Sequence, residues 1–416
     1  MPTTSQSTPI LITPEQKNAL IAIFGWLSKP TEPVFRLGGY AGTGKSTLIA
    51  VVRIIMHKKK PAWKVAFASF TGKATQVLRS KLAAQHALHS EDSISTLHSL
   101  LYAALTDKEG QIIGWKRKSE LDFNLLIIDE ASMVTEEIWR DIEHFKIPVL
   151  AVGDHGQLPP VNSTFSLLSS RDFTLSQIHR QAEESPILAV AQLARSTGEI
   201  PIQRFGQGVE KFNRQASDAG VLLEEYISQV DEETLFLTGF NSSRIKMNTA
   251  ARAARWKDPS RPESGDLVVC LKNDWEVGIY NGMTGVISSI AIGKQLDGTI
   301  ISYEVEIVDA TDEVIYSGLI AAQQFNNPES LKFTKTQQKE IGQLFDYGYC
   351  LTVHKAQGSQ AKKVVLIEER SKHMSESDWK RWLYTAVTRA EEQLYIFGLP
   401  IPEKPQADEQ PIESFS

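Results

Sequence analysis

Cysteine is scarce in this chain, and its two copies are too far apart to act together. The 416 residues include only Cys270 and Cys350. This separation excludes a Cys-x-x-Cys metal-binding pair and a disulfide framework. The nine histidines show no metal-ligand spacing either. We therefore expect two reduced thiols in a cytoplasmic protein.

Long hydrophobic runs are also missing. No apolar stretch approaches the roughly 18 residues that a membrane span needs. Residues 1–7 lack both the basic cluster and the apolar core of a secretory signal. Neither a membrane partner nor export is expected.

A basic excess is missing as well: 50 acidic residues outnumber 44 basic ones, and the net charge is −6. A protein that simply coats DNA would be basic. A motor that releases each phosphate in turn needs only a local basic track. The candidate positions for such a track are Lys73, Lys116, Arg117, Lys118, Arg244, Arg252, Arg255 and Lys355.

A glycine-rich segment at residues 39–46 has the spacing Gly-x-x-x-x-Gly-Lys-Ser of a phosphate-binding loop. Glycines allow the backbone to wrap a phosphate chain and direct N–H groups at it. A strand-like run precedes the loop and a helical pattern follows it, which adds a favourable field for an anion. The pattern predicts an ATP site in which Lys45 contacts the β- and γ-phosphates and Ser46 holds Mg²⁺. The residues predicted to bind the nucleotide here are Gly39, Gly42, Thr43, Gly44, Lys45, Ser46 and Thr47.

Two acidic residues follow a short, wholly apolar run at residues 125–128. Such a run is typical of a strand buried on both faces of a parallel sheet. Ligands of open α/β sheets bind at the carboxyl ends of the strands. We expect Asp129 to hold Mg²⁺ and Glu130 to orient and deprotonate the attacking water. After a further apolar run at 147–152, Gln157 is the candidate to sense the γ-phosphate.

Strand-like runs alternate with helical patterns along most of the chain, which indicates an α/β fold with parallel sheets. The runs lie at 34–37, 64–69, 125–128, 148–152, 235–240, 364–368 and 394–397. They predict two motor domains of the nucleotide-binding type, the second without a phosphate loop. Turn residues within about 101–121 predict an inserted β-hairpin. Short strands with glycine turns at 261–340 predict a small inserted β-barrel.

Several segments stand in an order that is typical of one enzyme family. They are 11–16, 69–74, 96–100, 129–133, 153–160, 175–181, 241–248, 352–359 and 384–390. Together with the phosphate loop they resemble the motifs of superfamily-1 DNA helicases of the RecD/Dda type, over about residues 11–398. Thr75 stands where this family usually has a second alanine.

This resemblance implies an ATP-dependent helicase that travels 5′ to 3′ on single-stranded DNA and separates forked duplexes. It implies that Gln16 reads adenine, and that Arg180 and Arg389 neutralise charge on the transferred phosphoryl group. The DNA contacts that it implies are Thr71, Lys73, Thr96, His98, Asn241, Arg244, His354, Lys355 and Ser359.

The resemblance also implies a division into domains. The first RecA-like motor domain comprises 11–100 and 122–174, and the second comprises 175–260 and 341–400. Residues 101–121 form a strand-splitting hairpin pin, and 261–340 an SH3-like barrel over the DNA path. The acidic, proline-containing residues 401–416 are interpreted as a disordered tail.

Two other functions remain open. A small-molecule P-loop kinase would need an acceptor pocket and has no use for a second motor half that carries Arg389. A DNA-stimulated ATPase subunit of a larger recombination or repair complex would share the motifs yet not unwind DNA alone. For the helicase we expect a monomer that uses ATP and Mg²⁺ and works with replication or repair proteins.

Overall fold

The protein is described here from a computed structural model of residues 11–29, 32–70, 72–106, 112–159, 165–178, 185–231, 233–272, 274, 277–279, 281–309 and 312–401. Within those ranges no helix is long and apolar enough to cross a lipid bilayer. The chain forms two six-stranded sheets, a five-stranded sheet and a two-stranded ribbon.

The first half of the chain builds a parallel sheet with helices between its strands. Strands in this half are β1 (Val34–Gly39), β2 (Val65–Ser69), β3 (Ser93–Thr96), β4 (Tyr102–Thr106), β5 (Ile112–Arg117), β6 (Leu125–Ile128), β7 (Val149–Gly153) and β8 (Phe173–Leu175). Helices in this half are α1 (Pro14–Ser28), α2 (Lys45–Lys59), α3 (Gly72–Ala84), α4 (Leu97–Leu101) and α5 (Glu136–His144). The sheet has the order β3-β2-β6-β7-β1-β8. The strand before the phosphate loop is thus separated from the strand before Asp129 by β7 alone.

These strands are apolar because both faces of the sheet are covered. Every residue of β2, β6 and β7 is buried. Alternate residues enter opposite cores, since Ile127 packs with the α1 and α2 side while Ile128 packs with the α5 side. The strands predicted at 34–37, 64–69, 125–128 and 148–152 are confirmed.

The second half of the chain contains a second sheet of the same kind. Strands in this half are β9 (Arg204–Gly206), β10 (Val209–Asn213), β11 (Thr234–Thr238), β12 (Leu267–Cys270), β13 (Thr284–Leu296), β14 (Thr299–Val308), β15 (Val314–Ala321), β16 (Phe345–Tyr347), β17 (Cys350–Thr352), β18 (Ala361–Ile367) and β19 (Ala390–Gly398). Helices here are α6 (Pro186–Ser196), α7 (Ala219–Ser228), α8 (Asn241–Ala253), α9 (Lys335–Ile341) and α10 (Glu376–Val387). The sheet order is β17-β11-β18-β19-β10-β9, parallel except for β9 against β10.

The remaining strands of the second half form a separate antiparallel sheet. Its order is β15-β14-β13-β12-β16. Its own core contains Ile287, Val305, Ile307 and Phe345. The sheet includes β16 at 345–347, so it extends beyond the predicted insertion at 261–340.

The two-stranded ribbon is formed by β4 and β5, which pair antiparallel. Residues 107–111, which connect them, lie outside the described residues. The base of the ribbon is fixed to α5, since the Tyr102 hydroxyl donates to Asp141 over 2.5 Å and Arg117 forms an ion pair with the same carboxylate.

The two halves share a hydrophobic core at their junction. Leu158, from the loop after β7, belongs to the core of the second half, and Tyr40 and Ala41 of the phosphate loop pack against that core. The phosphate loop is therefore part of the interface between the halves.

Candidate nucleotide and DNA site

The phosphate loop has the open, ligand-facing backbone that its glycines predict. Gly42 and Gly44 have φ of 78° and 76°, which side-chain-bearing residues rarely adopt. Gly39 faces a different constraint, because a Cβ there would lie 2.8 Å from Thr43 Oγ1. Lys45 begins α2, so the positive end of the helix faces the loop. Ser46 and Thr47 follow in its first turn and are partly exposed.

Two carbonyl groups of the loop hold the Lys45 ammonium. Its Nζ donates to Gly39 O and Tyr40 O, both over 2.9 Å. Thr43 Oγ1 donates to Tyr40 O over 2.8 Å and closes the loop on itself. The lysine charge is thus positioned at the mouth of the loop, where the predicted phosphate contact requires it.

Gln16 connects α1 to the phosphate loop. Its Nε2 donates to Thr43 O over 3.2 Å, and its Oε1 accepts from Thr13 N over 3.0 Å in a capping box. The side chain is buried. Gln16 therefore lies at the site predicted for adenine, and base recognition by this amide remains a prediction.

Asp129 and Glu130 follow β6 at its carboxyl end, as predicted. Glu130 has φ 55° and ψ 39°, a left-handed conformation that costs free energy for a residue other than glycine. Its Oε2 is buried without a hydrogen-bond partner among the described residues. Burial raises the pKa of Asp129 to about 6, the Glu130 charge adds to this rise, and Lys45 opposes it. A strained, crowded carboxylate pair is a frequent mark of a functional site.

The donor set at this edge fits a magnesium ion. Asp129 and the Ser46 hydroxyl offer hard oxygen ligands, and Mg²⁺ is commonly held by one or two carboxylates plus substrate phosphates. The pKa of Asp129 is raised mainly by burial and further by the Glu130 charge, so a nearby positive charge would stabilise its ionised form. A divalent cation bound with the nucleotide would supply that charge.

The loop after β7 brings Asp154 and Gln157 to the junction of the halves. Asp154 is buried, and its Oδ1 accepts from Gly156 N over 2.9 Å. Gln157 is 8% exposed and follows in the same turn. The loop is clamped from the second half, because Leu158 N donates to Thr385 Oγ1 and Gln357 Nε2 donates to Leu158 O.

Arg389 comes from the second half and is buried at this junction. Its Nε donates to Thr385 O over 3.0 Å and one terminal nitrogen donates to Ser359 O over 3.2 Å. Burial lowers the pKa of Arg389, while the charges of Glu130 and Asp154 oppose that decrease. The guanidinium thus lies within electrostatic reach of the Glu130 carboxylate. Arg180 lies outside the described residues.

The residues predicted to contact DNA in the first half lie beside the ribbon. Thr96 caps α4, with its Oγ1 accepting from Ser99 N over 3.2 Å. The His98 ring lies 4.8 Å from the Tyr102 ring and 4.6 Å from the Trp115 ring. Burial lowers the pKa of His98 to about 4, so the imidazole is neutral at neutral pH. Thr71 and the side chain of Lys73 lie outside the described residues.

The corresponding residues of the second half are more deeply buried than expected. Asn241 is exposed at the start of α8, whereas Arg244 is 1% exposed and forms an ion pair with Asp346 over 2.8 Å. Burial lowers the pKa of His354 and lowers that of Lys355 to about 8, with Arg244 adding to the effect on Lys355. Ser359 is partly exposed and meets Arg389 through its carbonyl group.

Two family models match this chain. The model described as an AAA domain matches residues 12–215, and the model of the UvrD-like helicase C-terminal domain matches residues 347–397. An ATP-dependent RecD2 DNA helicase of Deinococcus radiodurans is 27% identical over 387 residues, which cover 87% of this chain and 46% of the relative. The chain is similar in sequence to this RecD-type helicase over most of its own length.

Two further proteins are similar to this chain. A conjugal transfer protein TraA of Rhizobium radiobacter is 25% identical over 86% of this chain and 30% of its own length. A crystal structure of Pif1 helicase from Bacteroides, solved with ADP-AlF3 and single-stranded DNA, has a TM-score of 0.47 at 18% identity and covers 95% of both chains. This chain spans less than half the length of the two curated relatives named here.

The helicase motifs contain contacts that the sequence-based prediction missed. Tyr384 and Asp154 lie inside recognised motifs but had no predicted role, and Tyr384 binds both Asp154 and the phosphate loop. Arg195 of α6 lies over the Tyr40 ring at 3.7 Å. A tyrosine and an aspartate within motifs otherwise rich in small residues could have signalled the first contact. No sequence signal marked Arg195.

The predicted basic track is largely engaged within the protein. Arg252 pairs with Asp266 and Arg117 with Asp141. Lys118 Nζ donates to Ser99 O and Leu100 O, and Arg255 donates to main-chain carbonyl groups. Only Arg252 among these is buried, in its pair with the buried Asp266. Arg117 stays exposed and Lys118 and Arg255 stay partly exposed, so a basic track that includes them remains a prediction.

Proposed function

We propose that this chain is an ATP-dependent DNA helicase that moves on single-stranded DNA and separates duplex DNA. The observation that carries the proposal is the convergence at one junction of Lys45 and Glu130 from the first half with Arg389 from the second. A kinase acting on a small molecule would not need the second half to complete the site. ATP bound between two halves makes hydrolysis depend on their closure, which couples chemistry to movement.

Within this proposal each residue has a role. Lys45 and Ser46 bind the phosphates and magnesium, Asp129 holds the metal, and Glu130 accepts a proton from the attacking water. Gln157 senses the terminal phosphate, and Arg389 neutralises charge on the transferred group, with Arg180 as its predicted companion. Gln16 reads adenine, beside the loop carbonyl that it already contacts.

DNA lies across both halves in this proposal. Contacts come from Thr71, Lys73, Thr96 and His98 on one side and Asn241, His354, Lys355 and Ser359 on the other. Arg244, which the resemblance also implied as a contact, is buried in an ion pair, so we assign it to support of the exposed Asn241, to whose Oδ1 it donates over 3.3 Å. The likeness to RecD-type helicases favours 5′-to-3′ movement.

The ribbon and the antiparallel sheet complete the proposed machine. We assign the β4–β5 ribbon as the strand-splitting pin and the β12–β16 sheet as an SH3-like barrel. The ribbon and this sheet are neighbours. Gly278 lies between β12 and β13, and a Cβ added there would be 3.3 Å from Cζ2 of Trp115 in β5. Motor domains with bounds 11–100 and 122–174, and 175–260 and 341–400, are part of this proposal. So are a monomeric state, a cytoplasmic location and work alongside replication or repair proteins.

A forked-duplex assay with one tail at a time tests the proposal. Strand separation should require ATP, Mg²⁺ and a 5′ tail, and single-stranded DNA should stimulate ATP hydrolysis. Stimulated hydrolysis without strand separation would instead favour the ATPase-subunit function. Hydrolysis that ignores DNA would favour the kinase. A Trp115→Ala variant should unwind poorly yet keep its DNA-stimulated ATPase, whereas Trp256→Ala, which alters a fully exposed tryptophan, is the matched control.

A further inference from the structure

Tyr384, in the last turn of α10, connects the second half of the chain to the phosphate loop of the first. Its hydroxyl donates to Asp154 Oδ2 over 2.6 Å and accepts from Ala41 N over 2.8 Å. The tyrosine is 2% exposed and the aspartate 1% exposed. One hydroxyl group therefore ties a phosphate-loop amide to the loop after β7.

The Tyr384 hydroxyl contacts the early part of the phosphate loop, at Ala41. Gln16 holds the other end, at Thr43 and Gly44. Ala41 lies earlier in the loop, and the charge of Arg389 interacts with Tyr384, Asp154 and Glu130 together. The hydroxyl thus faces the groups proposed to act on the terminal phosphoryl group.

The tyrosine ring is held by close packing. A Cβ on Gly156 would lie 3.1 Å from Tyr384 Cε1 and 2.9 Å from Tyr40 Cε1. The Tyr40 ring meets the Tyr384 ring edge-on, with 6.1 Å between centroids. Burial raises the pKa of Tyr384 well above its usual value, so the hydroxyl keeps its proton and remains a donor.

The same helix end carries Arg389. Thr388 Oγ1 donates to Tyr384 O over 2.8 Å, and Arg389 Nε donates to Thr385 O over 3.0 Å. Arg389 lies two residues beyond the end of α10, and these hydrogen bonds attach it to the helix turn from which Tyr384 projects.

We propose that the Tyr384 hydroxyl distinguishes a nucleoside triphosphate from a diphosphate. A γ-phosphate oxygen accepts the proton of the hydroxyl in place of Asp154 and takes over the Ala41 N–H. A diphosphate has no oxygen at that point and leaves both hydrogen bonds intact. This inference rests on the proposed ATPase function, because it names a sensor for the terminal phosphate of that substrate.

The test compares the dissociation constants of Mg-ADP and a non-hydrolysable Mg-ATP analogue, measured by displacement of a fluorescent nucleotide. Tyr384→Phe keeps the ring and removes the hydroxyl. Because the hydroxyl exchanges one charged acceptor for another when the triphosphate binds, we expect the preference for the triphosphate to fall severalfold, less than the full value of a hydrogen bond to a charged group, with ADP affinity nearly unchanged. Equal changes for both nucleotides, or no change, would overturn the inference.

Two further variants distinguish loss of the Tyr384 hydroxyl from a general disturbance of the fold. Tyr349→Phe removes another buried hydroxyl, which donates to Asp266 over 2.8 Å outside the cleft, and should leave the nucleotide preference unchanged. Asp154→Asn weakens the competitor for the hydroxyl, so the triphosphate preference should stay at the wild-type level or rise. A fall as large as that of Tyr384→Phe would contradict the proposal.

Failure of the two proposals can be told apart. If the wild-type protein does not hydrolyse ATP in response to single-stranded DNA, the proposed function is wrong. If the wild type hydrolyses ATP but Tyr384→Phe keeps the wild-type nucleotide preference, only the sensor role of Tyr384 is wrong.

Discussion

The two halves of the molecule share a parallel sheet but use its carboxyl edge in different ways. In the first half the edge is open: glycines with positive φ expose the phosphate-loop backbone, and Glu130 keeps an oxygen without a hydrogen-bond partner among the described residues. In the second half the corresponding edge is filled. Glu369, which follows β18, accepts hydrogen bonds from Gly239 N and Phe240 N after β11 and from the Ser243 hydroxyl.

Two parallel sheets of the same kind can therefore differ in whether their carboxyl edge offers a ligand site. A sheet edge can bind a ligand when the fold leaves polar backbone and side-chain groups there without hydrogen-bond partners. The second half has instead used its polar groups for stability, and in the proposed function it supplies Arg389 to the site of the first. The predictions below test that division, from the largest expected effect to the smallest.

Lys45→Ala should reduce ATP turnover to background while leaving the fold intact. The ammonium that two loop carbonyl groups hold at the mouth of the loop is lost, and with it the charge that stabilises the phosphates. Steady-state ATPase assays and circular dichroism measure the two properties. Lys58→Ala, at the exposed far end of the same helix, is the control. Wild-type turnover in Lys45→Ala would show that the phosphate loop of the first half is not the site of ATP hydrolysis.

Arg389→Ala should remove most DNA-stimulated turnover, on the order of 10³–10⁵-fold if it acts as an arginine finger. Nucleotide binding to the first half should persist in part, because the phosphate loop remains. Arg389→Lys is the control for folding. It keeps a cation at the buried position but lacks the planar guanidinium that makes several hydrogen bonds at once. Unchanged turnover of the alanine variant at saturating DNA would show that Arg389 is structural.

Glu130→Gln should lower hydrolysis by about 10²–10⁴-fold, because the amide keeps the shape but cannot accept a proton. ATP binding should survive, which equilibrium titration would establish. Glu136→Gln, on the exposed surface of α5, should behave as wild type. A loss of nucleotide affinity as large as that of Lys45→Ala would contradict a role as general base.

Arg244→Met should destabilise the second half by about 3–5 kcal/mol, because Asp346 is left as an unpaired buried charge. Urea unfolding would measure the change. The double variant Arg244→Met with Asp346→Asn should recover part of this loss, since the carboxylate charge is gone while the amide oxygen still accepts from Asn326 N and Tyr347 N. If the single variant keeps wild-type stability but loses DNA affinity, Arg244 contacts DNA and its assignment as a structural residue fails.

His98 should make a small, pH-dependent contribution to stability. Its folded pKa of about 4 lies below the usual value of 6.5, so the unfolded chain binds a proton first as the pH falls. The contribution is present above pH 6.5 and is lost progressively toward pH 4. The melting temperature of the wild type, relative to that of His98→Phe, should therefore be lower at pH 5 than at pH 7.5. A constant difference would indicate an unperturbed histidine.

The sequence by itself determined the elements that depend on local pattern. Residues 39–46 could only form a glycine turn between a strand and a helix, and the apolar run 125–128 could only be a strand covered on both faces. The order of motifs then placed Asp129, Glu130 and Gln157 near the loop. These inferences succeed because spacing and periodicity act within a few residues.

Tertiary structure alone decided which polar groups are left for function. Nothing local distinguishes Arg244, paired with Asp346 about a hundred residues away, from a surface arginine. The contact of Tyr384 with Ala41 joins residues 343 positions apart, and it exists because two sheets pack at one junction. Burial and pairing are properties of the folded chain as a whole, since each depends on which distant segments come together.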